Sequence, residues 1–238
     1  MKSGFTRIAA ALAALAAWSA TPSLADGINI SPLRVTLSPP SRSAVFMLTN
    51  SSMTRLDFHA HVYRWTQDAA NDELSPTSAA LLSPPIFSIE PGRTQSIRVG
   101  LLAPQASASE TQYRVVIDRV PSGDPLPGVI VMVLHLSLPV FVPPTIGVIP
   151  TVAWSARRVD AHHVAVTAIN NGVMHVQIIS LTTSTDVASA KSVTNQMSYV
   201  LPGSQRTWNI PVSASASLVH IDAASDAGSL QAFARIGP

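Results

Sequence analysis

The stretch Gly128–Pro144, GVIVMVLHLSLPVFVPP, contains no charged residue and runs longer than an ordinary strand needs. Side chains alternate faces along an extended backbone. Ile130, Met132, Leu134, Leu136 and Leu138 therefore share one side, and Val129, Val131, Val133, His135 and Ser137 share the other. Burial in one sandwich explains one apolar face; a second requires another sheet, a membrane, or a protein arriving from outside. A helical membrane span needs about 20 apolar residues. This run is shorter and is broken by Pro139, Pro143 and Pro144, which a spanning helix would not tolerate.

The other hydrophobic block is at the N-terminus, where Lys2 and Arg7 precede Ile8–Trp18 and Ser23-Leu24-Ala25 supplies small residues. This is the pattern of a secretory signal peptide. Residues 1–25 are assigned to it, with cleavage after Ala25 and export of the rest. Taking 25 residues from 238 leaves 213, and losing Lys2 and Arg7 from 15 basic residues leaves 13 against 13 acidic ones. The exported chain is formally neutral, so charge gives no basis for binding nucleic acid or anionic lipid. Lys191 is its one lysine, and it has no cysteine. Disulfides are excluded, which is compatible with a bacterial periplasm. Stability must come from packed apolar side chains, and with 47% hydrophobic residues there is enough material for a core.

Period-two patterning recurs along the whole chain. INISPLRVTLSP, SAVFMLTNSS, RLDFHAHVYRWTQ, FSIEPG, TQSIRVGLL and QYRVVIDRVP read as strands separated by Pro, Ser, Asn and Gly clusters. After Pro143-Pro144 the pattern restarts with VIPTVAWSARRV, HHVAVTAINNG, MHVQIISLTT, the turn LPGSQ, TWNIPV, LVHIDAA and LQAFARIG. Two such series divided by a proline-rich joint predict an all-β protein of two sandwiches. The boundary is expected near Thr145–Ile149, giving domains of 26–144 and 145–238. The Ala/Ser-rich patches Ala103–Ser109 and Ser213–Ser217 read as loops.

Catalytic chemistry has little to draw on. His59 and His61 share a strand face, but a metal site needs a third ligand. His162 and His163 point to opposite faces. There is no Gly-x-Ser-x-Gly elbow and no glycine-rich phosphate loop. No enzyme, cofactor or metal is expected. Asn29-Ile30-Ser31 and Asn50-Ser51-Ser52 fit a glycosylation pattern, and both read as strand-end and turn residues.

An ordered set of motifs then resembles one family. The set comprises Ile30-Ser31-Pro32-Leu33-Arg34-Val35, Leu48-Thr49-Asn50-Ser51, Ser83-Pro84-Pro85-Ile86-Phe87, Ile89-Glu90-Pro91-Gly92 and Ser96-Ile97-Arg98-Val99. It continues with Tyr113-Arg114, Val120-Pro121 and Ser137-Leu138-Pro139-Val140-Phe141-Val142-Pro143, and in the second domain with Leu201-Pro202-Gly203-Ser204 and Trp208. The chain resembles the periplasmic pilus-assembly chaperones of the chaperone-usher pathway. Its SLPVFVPP ending is most similar to the branch serving pilins that resemble spore-coat protein U.

The resemblance implies two immunoglobulin-like domains in a boomerang, located in the periplasm. It implies that the long strand completes pilin subunits whose own fold lacks a strand, and that subunits pass to an outer-membrane usher. The donated residues would be Ile130, Met132, Leu134 and Leu136, while the opposite, valine-rich row would fill the domain's own core. Family members anchor the subunit's terminal carboxylate with two basic residues. Arg34 matches the first; the second falls at Pro139, so Arg98, with Arg114 behind it, is the expected substitute. The acidic residue many members carry before the Val-Pro pair is Arg119 here, and its usual basic partner is Pro143. Arg119 is therefore expected to reach Asp222 or Asp226 across the domains. An uncapped apolar edge also permits self-association of the free protein. The competing reading is a secreted adhesive or carbohydrate-binding module, which would want clustered exposed aromatics where only 5% of residues are aromatic.

Overall fold

The computed structural model describes residues 27–38, 40–68, 71–103, 107–121, 133–145, 151–186, 192–194 and 197–238. The expected signal peptide, Ile130 and Met132, and all of the expected joint except Thr145 lie outside them. Regular structure in the described residues is entirely β. The first series of strands is β1 (Ile28–Ser31), β2 (Val35–Thr36), β3 (Ser43–Asn50), β4 (Leu56–Gln67), β5 (Asp72–Pro76), β6 (Ala80–Ser83), β7 (Ile86–Ile89), β8 (Thr94–Leu101), β9 (Thr111–Val120) and β10 (His135–Val142). The second is β11 (Val152–Arg158), β12 (His163–Asn170), β13 (Val176–Thr185), β14 (Ser192–Thr194), β15 (Ser198–Val200), β16 (Gln205–Pro211), β17 (Leu218–Ser225) and β18 (Gly228–Gly237).

In the first sandwich a sheet of order β1-β3-β8-β6 faces one of order β2-β10-β9-β4-β5, with β7 also on β4. Phe46, Leu48, Phe58, Ile97, Val115, Ile117, Leu138 and Val140 fill the space between. The segment INISPLRVTLSP, read as one strand, is two. Proline has no N–H to give a ladder, and the chain breaks at Pro32: β1 pairs antiparallel with β3, and β2 pairs parallel with β10. In the second sandwich the strands follow the order β14-β13-β17-β18-β11-β12-β16, with β15 on β13. β11 serves both halves, pairing antiparallel with β12 and parallel with β18, around a core that includes Val164, Val166, Ile178, Trp208 and Ile221.

Both sandwiches close one corner with the same device. Asn50, fully buried at the end of β3, donates to the Thr54 and Ile89 carbonyls at 2.7 and 2.9 Å and accepts from the Ser52 N–H at 2.9 Å. Asn170, fully buried at the end of β12, donates to the Met174 and Val200 carbonyls at 2.8 and 2.9 Å and accepts from the Gly172 N–H at 2.9 Å. The main-chain carbonyl of each asparagine receives a glycine N–H, from Gly92 at 2.8 Å and from Gly203 at 2.9 Å. Those glycines have φ of 68° and 71°, a region in which a Cβ is disfavoured. A side chain that satisfies three backbone groups in a dry corner is costly to lose. This accounts for Asn50-Ser51-Ser52 as a turn.

β5, β6, β14 and β15 are strands that the sequence patterning does not reveal. β5 reads DELSP with every residue exposed, so burial leaves no alternation for it to display.

Candidate functional site

β10 is flanked unequally. Along one side all eight of its residues pair with β9, from His135 opposite Asp118 to Val142 opposite Thr111. Along the other, β2 meets only Val140 and Phe141. Among the described residues no strand covers that side of His135–Pro139. The phase of the ladder is fixed by the Arg119 N–H, which donates to the Leu134 carbonyl at 3.0 Å. Even-numbered residues of β10 thus bond to β9, and odd-numbered ones turn their backbone groups the other way. The Leu37 N–H donating to the Phe141 carbonyl at 2.8 Å has the same phase. His135 and Ser137 consequently present N–H and C=O groups to an open edge.

The side chains divide just as unequally. Leu138, Val140 and Val142 lie in the first sandwich's core, Leu136 packs partly against it, and Leu134 is half-buried where the row leaves the sheet. The opposite row is Val133, 55% exposed, then exposed His135 and Ser137. At Val133 the structure departs from the expectation that the valine side fills the domain's own core, while Val129 and Val131 lie outside the described residues. Within the described residues the leucine row continues the core, and its outer members run off the end. Two apolar rows on one strand do not say which faces inward; the opposing sheet decides.

Past Ser137 the outer row is buried again, by the second sandwich. Phe141 joins Trp65 and Leu201 in a separate buried cluster with Tyr199 packed against it. The Trp65 and Phe141 ring centres are 5.9 Å apart, and Tyr199 meets Trp65 edge-on at 5.4 Å. At one end of this joint Gln67 donates to the Tyr199 carbonyl and accepts from the Leu201 N–H, both at 2.9 Å. Arg206 there pairs with Asp72 at 2.6 Å. At the other end a cleft of about 240 Å³ is lined by Arg34, Glu110, Phe141, His175 and Asp226 among others.

Arg34, one of the expected carboxylate anchors, sits in this cleft with its guanidinium 2.7 Å from Asp226 Oδ2. Burial favours the neutral form of Asp226, but His175, the Gln177 N–H and Arg34 outweigh it and hold the carboxyl at about 2. Arg98, the first substitute anchor, lies elsewhere. It is exposed between buried Ile97 and Val99 on β8, in the other sheet, and donates to Ser43 Oγ at 3.1 Å. The second substitute is better placed. Arg114 is directly opposite Pro139 across the β9–β10 ladder, and its guanidinium carbon lies 3.7 Å from the centre of the Trp65 ring. Burial pulls its pKa down, partly countered by Asp72 and Tyr199. Burial raises the pKa of the Tyr199 hydroxyl, and Arg34 and Arg114 both act to lower it.

The expected pairing of Arg119 with Asp222 or Asp226 is not the arrangement adopted. Asp226 is taken by Arg34, and Asp222 accepts from Ser229 Oγ at 3.2 Å. Asp226 stands in the β17–β18 turn at the Arg34 end of the joint, whereas Arg119 lies opposite Phe58 near the far end of β9. Pro143, the position of its expected partner, lines the cleft. His59 and His61 lie exposed on β4, and among the described residues no group of three His, Asp or Glu side chains could hold a metal ion.

Residues 27–147 match the family described as pili and flagellar-assembly chaperone, PapD N-terminal domain, and the chain belongs to this family. No curated protein matches it. Among solved structures it is similar to the CsuC–CsuE chaperone–tip adhesion subunit pre-assembly complex from archaic chaperone-usher Csu pili of Acinetobacter baumannii. That match has 21% identity and a TM-score of 0.64, covering 89% of this chain and 98% of that one. It is similar also to the Escherichia coli chaperone DraB, at 16% identity and TM-score 0.60 over 87% and 96% of the two chains. The Salmonella enterica complex of SafA pilin with the SafB chaperone matches at 16% identity and TM-score 0.61, again over 87% and 96%. The fold is thus the two-domain immunoglobulin-like architecture of pilus chaperones.

Proposed function

We propose that the protein is a periplasmic chaperone that completes pilin subunits with its β10 strand and delivers them to an outer-membrane usher. The observation that carries this is the one-sided pairing of β10. An incoming strand can bond to the free edge at His135 and Ser137, while Leu134 and Leu136, continued by Ile130 and Met132, enter successive pockets of the subunit. Each large apolar side chain buried is worth about 1.5–3 kcal/mol, enough in a row of four to hold an incomplete sandwich. The family, and the similarity to chaperones solved with a tip adhesion subunit and with a pilin, support this reading.

The subunit's terminal carboxylate is received between Arg34 and Arg114. Bidentate charge-assisted bonds from guanidinium groups suit a carboxylate, and Trp65 beneath Arg114 has a buried Nε1–H with no acceptor among the described residues. Arg114 reaches the place where the resemblance expects a lysine at Pro139, but from the neighbouring strand. Arg98 lies too far round the domain for this role. The aromatics that a sugar-binding module would expose are largely spent inside: Trp65 and Trp208 are buried.

The test is copurification from periplasm in a strain expressing a pilus operon. Wild-type protein should bring down pilin-sized partners. Leu134→Asp should lose them while keeping its far-ultraviolet circular dichroism, because the charge falls where the row meets the subunit rather than in the chaperone's core. Undiminished capture by Leu134→Asp overturns the proposal.

A further inference from the structure

A line of charged groups crosses the joint from one domain to the other and back. Glu110, beside β9, belongs to the first sandwich; His175, before β13, and Asp226, in the β17–β18 turn, belong to the second; Arg34, before β2, returns to the first. The Glu110 carboxylate is 1% exposed and its oxygens lie 2.8 and 2.9 Å from His175 Nδ1. The His175 main-chain N–H also donates to it at 3.2 Å. On the other side of the ring, Nε2 stands 3.6 Å from Asp226 Oδ2, beyond hydrogen-bonding distance, and is buried with no hydrogen-bond partner among the described residues. The imidazole lies flat on Phe141, 3.6 Å between centres and 9° between planes. Tyr199 is 5.6 Å away, Arg34 reaches the ring only through Asp226, and Gln112 Nε2 lies 3.3 Å from Glu110 Oε1.

The proton count of the ring decides what this arrangement does. A neutral imidazole has one N–H. With that N–H given to Glu110, the Nε2 lone pair faces the Asp226 carboxylate, and Glu110 is a buried anion without a cation. An imidazolium reverses both: Nε2–H points at Asp226, and the Glu110 charge is neutralised. An unpaired buried charge is strongly destabilising, and histidine is the side chain whose ordinary pKa permits the change near neutrality.

We propose that His175 is a proton-operated latch between the two domains, closed across Glu110 and Asp226 as the imidazolium and released as the neutral ring. This reading is independent of what the protein binds. The far end of the joint is held by Gln67, by the Arg206–Asp72 pair and by the Trp65–Leu201 contact. It acts as the pivot. The direction follows from the ring's surroundings. Burial disfavours the charged form, but Asp226 and Glu110 prevail and raise the pKa above 6.5. The latch is therefore complete below about 6.5 and is lost as the pH rises through the raised value.

The chain has no cysteine, so Ser96→Cys on β8 and Ser155→Cys on β11, both exposed, allow a donor and an acceptor dye to be placed on the two domains. Single-molecule energy transfer should give one narrow distribution at pH 5.5. By pH 8.5 it should be broadened and displaced, with a midpoint matching the His175 imidazole titration followed by proton NMR. His175→Gln should remain in the high-pH form throughout. Glu110→Gln, which removes one carboxylate and keeps the shape, should move the midpoint down by about one pH unit. A pH response retained in His175→Gln, an unmoved midpoint in Glu110→Gln, or a wild-type distribution that stays constant while the imidazole titrates overturns the latch.

Discussion

β10 and β18 are the last strands of their sandwiches and are built alike, yet they differ in the side chains that stand beside their open edges. Each pairs antiparallel with the strand before it and parallel, for two residues, with a strand from the start of its domain, Val140–Phe141 on β2 and Ile236–Gly237 on β11. Each leaves the rest of that edge uncovered among the described residues. The rows facing inward differ. β18 carries Leu230, Ala232, Ala234 and Ile236, and it begins at Gly228 (φ 112°) directly opposite Ser225, in a tight turn with no overhang. β10 carries Leu136, Leu138, Val140 and Val142, with half-buried Leu134 just before it in the same row, and in the sequence that row goes on to Met132 and Ile130. An open edge supplies hydrogen bonds, but only bulky side chains left over from the core supply the apolar burial that makes association strong. Alanines at β18 have little to give.

The comparison can be broken most directly within β10 itself. Leu138→Ala, at a site 3% exposed, should cost about 2–5 kcal/mol in urea unfolding, as deletion of core methyl groups does. Leu134→Ala, at the open end of the same row, should cost under about 1 kcal/mol. Equal losses would mean that the outer leucine is core after all. A smaller effect tests the turn that closes β18, which carries Asp226. Its carboxyl is held at about 2, so the stability it adds is present above the unfolded value near 3.9 and is lost as the pH falls through about 2. Because the group is partly exposed, the loss should be on the order of 1 kcal/mol after solvent screening. Asp226→Asn should flatten that acid limb in pH-dependent thermal melts. The smallest effect is expected on the outer face of β18. Phe233 is 70% exposed and stacks on His220, and Phe233→Ser should change stability by no more than about 0.5 kcal/mol and leave pilin capture as it was. Lost capture there would give β18 a role denied to it above.

Much of the fold was readable because the signals are local. The long strands β3, β4, β8 and β9 alternate visibly, and EPG at Glu90–Gly92 and LPG at Leu201–Gly203 mark turns that need a glycine at positive φ. Short edge strands such as β5, exposed throughout, carry no burial pattern to read. The candidate site was legible in part. The uncharged strand and Arg34 stand out by composition and motif, and Arg34 does lie in the cleft. Arg98 was misplaced because a motif gives a strand but not the sheet in which it sits. Arg119 was paired wrongly because neither the reach of its strand nor the place of the β17–β18 turn is written nearby in the chain.

By itself the sequence determined that the chain is β throughout its described length, that it divides into two series, and that one uncharged stretch is largely apolar on both of its faces. These depend on spacings of two residues and on turn chemistry, which act over a few bonds. The tertiary structure alone decided that the leucine row faces inward, that Phe141 is sealed by a second domain, and that Arg34 meets Asp226 across 192 residues. Arg114 reaches the space beside Pro139, and His175 closes on Glu110, for the same reason. Such pairs depend on how two separately closed sandwiches meet, and no local periodicity encodes that angle.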